Sequence, residues 1–259
     1  MGMTSPPPDP ARSLCPWQQI LDWAEEHYRT RSFAKDEKIP TRAGLVYLVH
    51  RGAVRLTGSA RISQTPLDPS SSEEQLLGFV AAGQPFELVA RSHFELHSYA
   101  HIDRTLVVWM YWHDLENWSH WRDRILEAFR LQHQRRLLWL AILGQRRTID
   151  RLLGFLTLLV EEFGQPCTLP PNSKTPSEFG CCLPWALTHA QISSAIGSTR
   201  VTVTRLMGQL RSQGSIDIGE DNLIGLPLNE NGSISPSGKP GRLPQQYNRI
   251  RDDLVNPPK

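Results

Sequence analysis

The chain has no apolar run long enough to cross a bilayer. Its longest apolar stretches, Leu137–Leu143 and Leu152–Val160, are short and interrupted, whereas a spanning helix needs about 20 predominantly apolar residues. The opening MGMTSPPPDPARS lacks the apolar core of a secretory signal. Pro6 also stands where a myristoylation signal wants Ser or Thr. These absences predict a soluble, cytoplasmic protein with no membrane partner. A surplus of charge is missing too: 28 Lys and Arg face 26 Asp and Glu, a net charge of +2. Any affinity for nucleic acid must therefore come from local clustering and not from a basic bulk. Cysteine is scarce: Cys15, Cys167, Cys181 and Cys182 are all there are. Free thiols are the expectation in a reducing compartment, because strain disfavours a disulfide between the adjacent Cys181 and Cys182.

One absence is local. No acidic residue occurs between Thr188 and Arg211, a stretch that holds Arg200, Arg205 and Arg211. Thr188 followed by Gln191 forms a capping box. A first helix follows, then a break at Gly197-Ser198, and Thr199 can cap a second helix. In that second helix Val203, Leu206, Met207 and Leu210 recur at i, i+3, i+4 and i+7, a stripe that must face a core. The opposite face carries Arg200, Val201, Thr204, Arg205 and Gly208. A helix-turn-helix whose outer helix is basic and free of acids suits the major groove of DNA. Gly208 costs about 1 kcal/mol in a helix interior; close approach of a neighbouring backbone is the reason expected for it.

The length of 259 residues accommodates two modest domains. Residues 1–14 read as disordered. Trp17 to Arg29 reads as a helix with Ile20, Leu21, Ala24 and Tyr28 on its apolar stripe. From Phe33 the period shortens: Gly44–Leu56 holds two β-rich runs broken at Arg51-Gly52, a hairpin signal. Further strands are expected at Gln75–Val80, His97–His101 and Leu106–Tyr111, with Ser59–Glu74 as a loop. Many short strands with such punctuation suggest a β-roll or jelly roll. A long helix from Leu115 to Leu143 follows, with Trp121, Ile125, Phe129, Leu137 and Leu140 along one face. Pairing with a copy of itself would bury that ridge. Thr148 to Phe163 is a further helix, with its stripe on Ile149, Leu152, Leu153, Leu156, Val160 and Phe163. Residues 164–186 read as a proline- and serine-rich loop. Ser215–Ile218 and Leu223–Leu226 flank GEDN as a short hairpin. From Asn229 onward the chain reads as a flexible tail with a short helix at Leu243–Leu254.

The stretch Thr188–Arg211 resembles the DNA-binding end of the cyclic-AMP receptor/FNR family of bacterial transcription regulators. Within that family Ala195–Leu206 is closely similar to the recognition helix of the cyanobacterial nitrogen-control branch. The looser resemblance runs from Phe33 to Leu226, with Tyr47, Val49 and Gly52 matching a Tyr-x-Val-x-x-Gly hairpin. It implies an α+β fold: an N-terminal cyclic-nucleotide-binding-like β-roll over 15–114, a dimerisation helix over 115–144, a C-terminal winged helix-turn-helix over 145–228, and a tail over 229–259. It implies a homodimer on double-stranded DNA, with RNA polymerase as a further partner. Arg200, Val201 and Arg205 then hold base-reading positions beside Thr204, while Thr188, His189, Ser198, Thr199 and Thr202 are candidates for phosphate contacts. Arginine can read guanine O6 and N7 and valine can pack on a thymine methyl, so half-sites of GTA/TAC type are expected.

The signal is less legible. A cyclic-nucleotide pocket in this family wants Gly-Glu-Leu and a later Arg-Ser or Arg-Thr. The chain offers Phe86-Glu87-Leu88, and Arg91-Ser92 comes too early. The nitrogen-control branch binds 2-oxoglutarate through cationic groups; Phe94, Gln132 and Leu137 stand at the matching places, which disfavours a dicarboxylate. Both effectors are expected to be absent, and no cofactor is assigned. The alternatives are a nitrogen-control regulator that does respond to 2-oxoglutarate, and a haem- or metal-dependent redox- or gas-sensing regulator, because His93, His97, His101, His113 and His120 gather near Trp109, Trp112, Trp118 and Trp121. Their spacings match no metal motif. The paired N-terminal cysteines of iron–sulfur relatives are missing, and no His-x-His or Glu-x-x-His arrangement supports a cupin-like enzyme. A non-enzyme is expected.

Overall fold

A computed structural model of the chain describes residues 18–60, 74–89, 94–169, 179–219, 221–228 and 234. Outside these fall Cys15, Arg91-Ser92, His93, most of the Ser59–Glu74 loop, the N-terminal 14 residues and the Leu243–Leu254 helix. The described residues form two compact units that divide the chain after Leu158, Ala186 and Arg205.

The first unit opens with α1 (Gln18–Glu26), then β1 (Thr30–Phe33), β2 (Lys38–Ile39), β3 (Leu45–Arg51), β4 (Ala53–Ala60), β5 (Gln75–Ala81), β6 (Pro85–Phe86), β7 (Phe94–Ala100) and β8 (Thr105–Tyr111). These strands make two four-stranded antiparallel sheets, ordered β1-β8-β3-β6 and β2-β7-β4-β5. This is the β-roll that the sequence predicts. The unbroken apolar run LVYLV in β3 follows from burial on both faces. Leu45, Tyr47 and Val49 point between the sheets with Val54, Leu56 and Phe86. Val46 and Leu48 point the other way, toward Ile20, Leu115, Trp121 and Ile125. Side chains alternate along a strand, so a strand covered twice loses its polar positions.

The expected hairpin at Arg51-Gly52 is not one: β3 and β4 lie in different sheets. The chain crosses between the layers there, which needs a sharp corner. Gly52 has φ +92°, and a Cβ on it would stand 2.6 Å from Thr105 Oγ1. Only glycine fits both demands. Tyr28 also departs from expectation. Helix α1 ends at Glu26, Tyr28 takes φ 55° and its side chain is 90% exposed, so it contributes nothing to the stripe of Ile20, Leu21 and Ala24.

The expected single long helix is two: α2 (Trp112–Glu116) and α3 (Ser119–Leu143). The break lets Trp118 pack edge-on against Trp23, with ring centroids 4.7 Å apart. Helix α4 (Thr148–Phe163) has the predicted bounds. After it come α5 (His189–Ile196) and α6 (Arg200–Ser212).

In the second unit the expected proline-rich loop at 164–186 contains two strands, β9 (Gln165–Thr168) and β10 (Phe179–Cys182). They pair antiparallel with each other, and β10 pairs with β12 (Ile224–Pro227), which pairs with β11 (Asp217–Ile218). The hairpin between β11 and β12 matches the one read around GEDN. Adjacent antiparallel strands also explain a correction to the cysteines. Gly180 opposes Cys167, so Cys182, two residues on, shares a face with it. Cys167 and Cys182 are joined in a disulfide with Cα atoms 5.8 Å apart, within the usual reach, and Cys181 takes no part in it.

Candidate nucleic-acid interface

Thr188 begins α5 with a complete capping box. Its Oγ1 accepts from the Gln191 amide at 3.1 Å, and its own amide donates to Gln191 Oε1 at 2.9 Å. The helix stops at Gly197, whose φ of +60° is left-handed. The Gly197 and Ser198 amides both donate to the Ser193 carbonyl, the closure that lets a helix end tightly on glycine. Thr199 then caps α6, accepting from the Thr202 amide at 3.2 Å. Two caps two residues apart, Gly197 and Thr199, thus fix the sharp turn between α5 and α6.

Along α6, Val203, Leu206, Met207 and Leu210 are buried. Arg200, Val201, Thr204, Arg205 and Gly208 are exposed. At about 100° per residue these five share an arc of about 140°. Val201 is 80% exposed, an apolar side chain held in water between two arginines. Among the described residues neither Arg200 nor Arg205 is held by an ion pair. Arg211 differs: its Nε lies 3.8 Å from Asp217 Oδ1, and Asp217 is buried. Of the three arginines in this acid-free stretch, two are unengaged and one is anchored.

Thr204 and His189 act on each other. Thr204 Oγ1 donates to the Arg200 carbonyl at 3.0 Å, and His189 Nδ1 lies 2.8 Å from the same oxygen. With the hydroxyl proton already committed, Nδ1 must carry the proton and donate. His189 is thereby oriented, with Nε2 left as acceptor in the neutral ring. Ser198, Thr199 and Thr202 gather at the start of α6, where unpaired helix amides and the positive dipole end favour phosphate. Gly208 corrects the expectation of a close backbone: nothing lies within 4 Å of where its Cβ would stand.

The expected partner-facing ridge on α3 is redistributed. Trp121 and Ile125 are buried in the roll's own core, with Phe129 packed against them, because the break before α3 turns its first half onto the sheet. Leu137 and Leu140 remain outward, 52% and 63% exposed, and Leu126 joins them at 48%. The sequence pattern missed Leu126; its signal was the 3.5-residue spacing Leu126, Arg130, His133, Leu137, Leu140.

The residues weighed for effectors do not converge. Gln132 is buried and donates to the Pro85 carbonyl at 2.8 Å, whereas Phe94 and Leu137 are exposed. The histidines are dispersed: His97 lies by Glu74 and Glu95, His101 against Phe79, His113 against Tyr111; Trp112, Trp118 and Trp121 share one apolar core cluster. Among the described residues no three His, Cys, Asp or Glu side chains are gathered as metal ligands, and no helix is long and apolar enough to cross a membrane. Burial pushes the pKa of His50 down.

Residues 150–227 match the family described as the Crp-like helix-turn-helix domain. The Global nitrogen regulator of Nostoc sp. (strain PCC 7120 / SAG 25.82 / UTEX 2576) is 42% identical over 76 residues, which is 29% of this chain and 30% of that protein. The chain thus matches about a third of the length of these curated relatives. Among solved structures, FixK2 from Bradyrhizobium japonicum has a TM-score of 0.53 at 22% identity, covering 80% of this chain and 97% of that one. A cyclic nucleotide-binding domain containing protein from Listeria monocytogenes EGD-e reaches 0.60 at 13% identity, covering 80% and 96%. Residues 150–227 therefore match a Crp-like helix-turn-helix domain, and the chain has the fold of these solved structures.

Proposed function

We propose that the chain is a transcription regulator that binds duplex DNA as a homodimer, with α6 in the major groove. The observation that carries this reading is Val201, four-fifths exposed between the unengaged Arg200 and Arg205 on a face without a single acid. Leaving an apolar side chain in water has no structural return, but a thymine methyl would cover it. Arg200 and Arg205 read guanine, and Val201 excludes cytosine because it cannot accept from its amino group. The half-site is then of GTA/TAC type. The 42% identity to a nitrogen regulator over 76 residues supports the same face and the same code. Thr188, His189, Ser198, Thr199 and Thr202 place the helix on phosphates without reading sequence, and Thr204 holds His189 in position.

The dimer forms along the outward stripe of α3: Leu126, Arg130, His133, Leu137 and Leu140. Two related subunits occupy half-sites about 34 Å apart on successive major grooves. RNA polymerase is the partner through which transcription changes. The effector is neither cyclic AMP nor 2-oxoglutarate: Phe86 stands in place of a glycine, and Gln132 is committed to the Pro85 carbonyl.

The test is Arg205→Ala, assayed by anisotropy on a GTA/TAC palindrome and on a scrambled duplex at several salt concentrations. Loss of a bidentate guanine contact, about 1–3 kcal/mol per half-site, weakens the palindrome, with its two half-sites, by about thirtyfold or more while the scrambled duplex changes little. Equal weakening on both would refute base reading by Arg205.

A further inference from the structure

The sheet of the second unit runs β11-β12-β10-β9. Among the described residues β9 pairs with β10 alone, so it is an edge strand. It is weakly held: Gln165, Pro166 and Thr168 are exposed, and Pro166 has no amide to give to the ladder. Two attachments compensate. Leu169, directly after β9, is buried, and Cys167 is bonded to Cys182 on β10.

Both attachments enter a recess that two glycines leave open. A Cβ on Gly180 would stand 2.6 Å from Leu169 Cδ1, and a Cβ on Gly225 would stand 2.6 Å from Leu169 Cδ2 and 2.9 Å from Cys182 Sγ. Gly225 lies opposite Cys182 on β12. The Cys182 sulfur is therefore seated against the β11–β12 hairpin, while Cys167 sits on the outer strand. Both cysteines are half-buried, within reach of a small thiol. Cys181 faces the other side of β10, because side chains alternate along a strand, and Pro166 stands opposite it. The sheet thus selects one pair from three neighbouring cysteines. Partly exposed disulfides are the labile ones, and in a reducing compartment such bonds are transient or redox-sensing.

We propose that Cys167 and Cys182 form a reversible thiol–disulfide site that clamps β9 to its sheet when oxidised and releases it when reduced, with a small monothiol such as glutathione as reductant. One reductant thiolate attacks Cys167 Sγ, the sulfur on the outer strand. The bond between the two cysteines breaks, and Cys182 leaves as a thiolate that takes a proton. A second reductant thiolate attacks the reductant's sulfur in the mixed disulfide, and Cys167 leaves and is protonated in turn. Two reductant thiols become one disulfide, and their two electrons and two protons end on the cysteines. The oxidised reductant drives the same steps backward. The proposal concerns this sheet alone; it does not rest on DNA recognition, and its readout uses no DNA.

The experiment equilibrates the full chain in glutathione buffers of varied reduced-to-oxidised ratio, traps thiols by alkylation in acid, and reads each cysteine by peptide mass. Hydrogen exchange and circular dichroism follow in parallel. The Cys167–Cys182 bond opens and closes with the ratio, and the same fraction is reached from the oxidised and from the reduced side. In the reduced chain the β9 and β10 amides exchange at least about tenfold faster, a local opening, while helix content is unchanged. Cys181→Ser titrates as the wild-type chain does. Cys182→Ser, verified as folded, has no intrachain bond to titrate and exchanges fast in both buffers. Four results would overturn the proposal: a bond that stays closed at every ratio, a bond that does not return on reoxidation, an intrachain bond through Cys181, or β9 exchange that is equal in the two states.

Discussion

At the residue scale the interface is decided by which side chains are already occupied. Arg211 looks equivalent to Arg200 and Arg205 in the sequence, yet Asp217 holds it. No spacing rule reveals this, because the partner arrives from the following strand. Gly208 teaches the converse: the sequence flags it as costly, and its open surroundings explain nothing about why it is kept. The capping residues, by contrast, were fully legible, since Thr188, Gln191, Gly197 and Thr199 act through their own local backbone. A pH dependence belongs at this scale. Burial pushes the Glu161 carboxyl above the usual carboxylate range. The folded state then holds that proton more tightly than the unfolded chain does, so stability falls as pH rises from about 4.5 through the folded value. Glu161→Gln removes this loss. Thermal unfolding should show a higher Tm for the variant at neutral pH and no gain near pH 4; an equal gain at both would point to a cause other than ionisation.

At the element scale the errors of sequence reading have one origin. Periodicity says that a residue is buried but not by whom. Trp121 and Ile125 satisfy the helical stripe expected to face a partner subunit, but the roll itself covers them. The outward stripe further along α3 is what remains for self-association. Leu137→Glu combined with Leu140→Glu places like charges where two copies would meet, so sedimentation should report a monomer with unchanged helicity. A persistent dimer would move the contact off α3. The β9–β10 hairpin is a second case. Its strands are short and interrupted by proline, and the intervening residues hide their pairing from a local pattern. The disulfide closes a loop with a sequence separation of 15, for which chain entropy gives about 3 kcal/mol. Denaturant unfolding with and without reductant should differ by about that amount, and coincident curves would mean that the bond contributes nothing.

At the scale of the whole molecule, fold class and element order were readable, because two-faced burial makes β3 and β8 continuous apolar runs and an acid-free stretch marks α5 and α6. The sheet order was not. A turn signal at Arg51-Gly52 looks the same whether the chain doubles back or crosses to another layer, and only the partners supplied by β7 and β8 decide it. That corner governs how the protein is made. Because β3 must wait for β8, and β4 for β7, one layer cannot close until Tyr111, and the other until Ala100, has been synthesised and brought back over a long loop, an ordering that costs time more than stability. Stopped-flow refolding of the roll should therefore be slow beside that of a helical bundle of equal size, and nascent chains halted short of Tyr111 should be cut readily by protease. A ribosome passing through this stretch carries an unfinished, sticky intermediate, so the burden this architecture places on the cell's chaperones falls during translation.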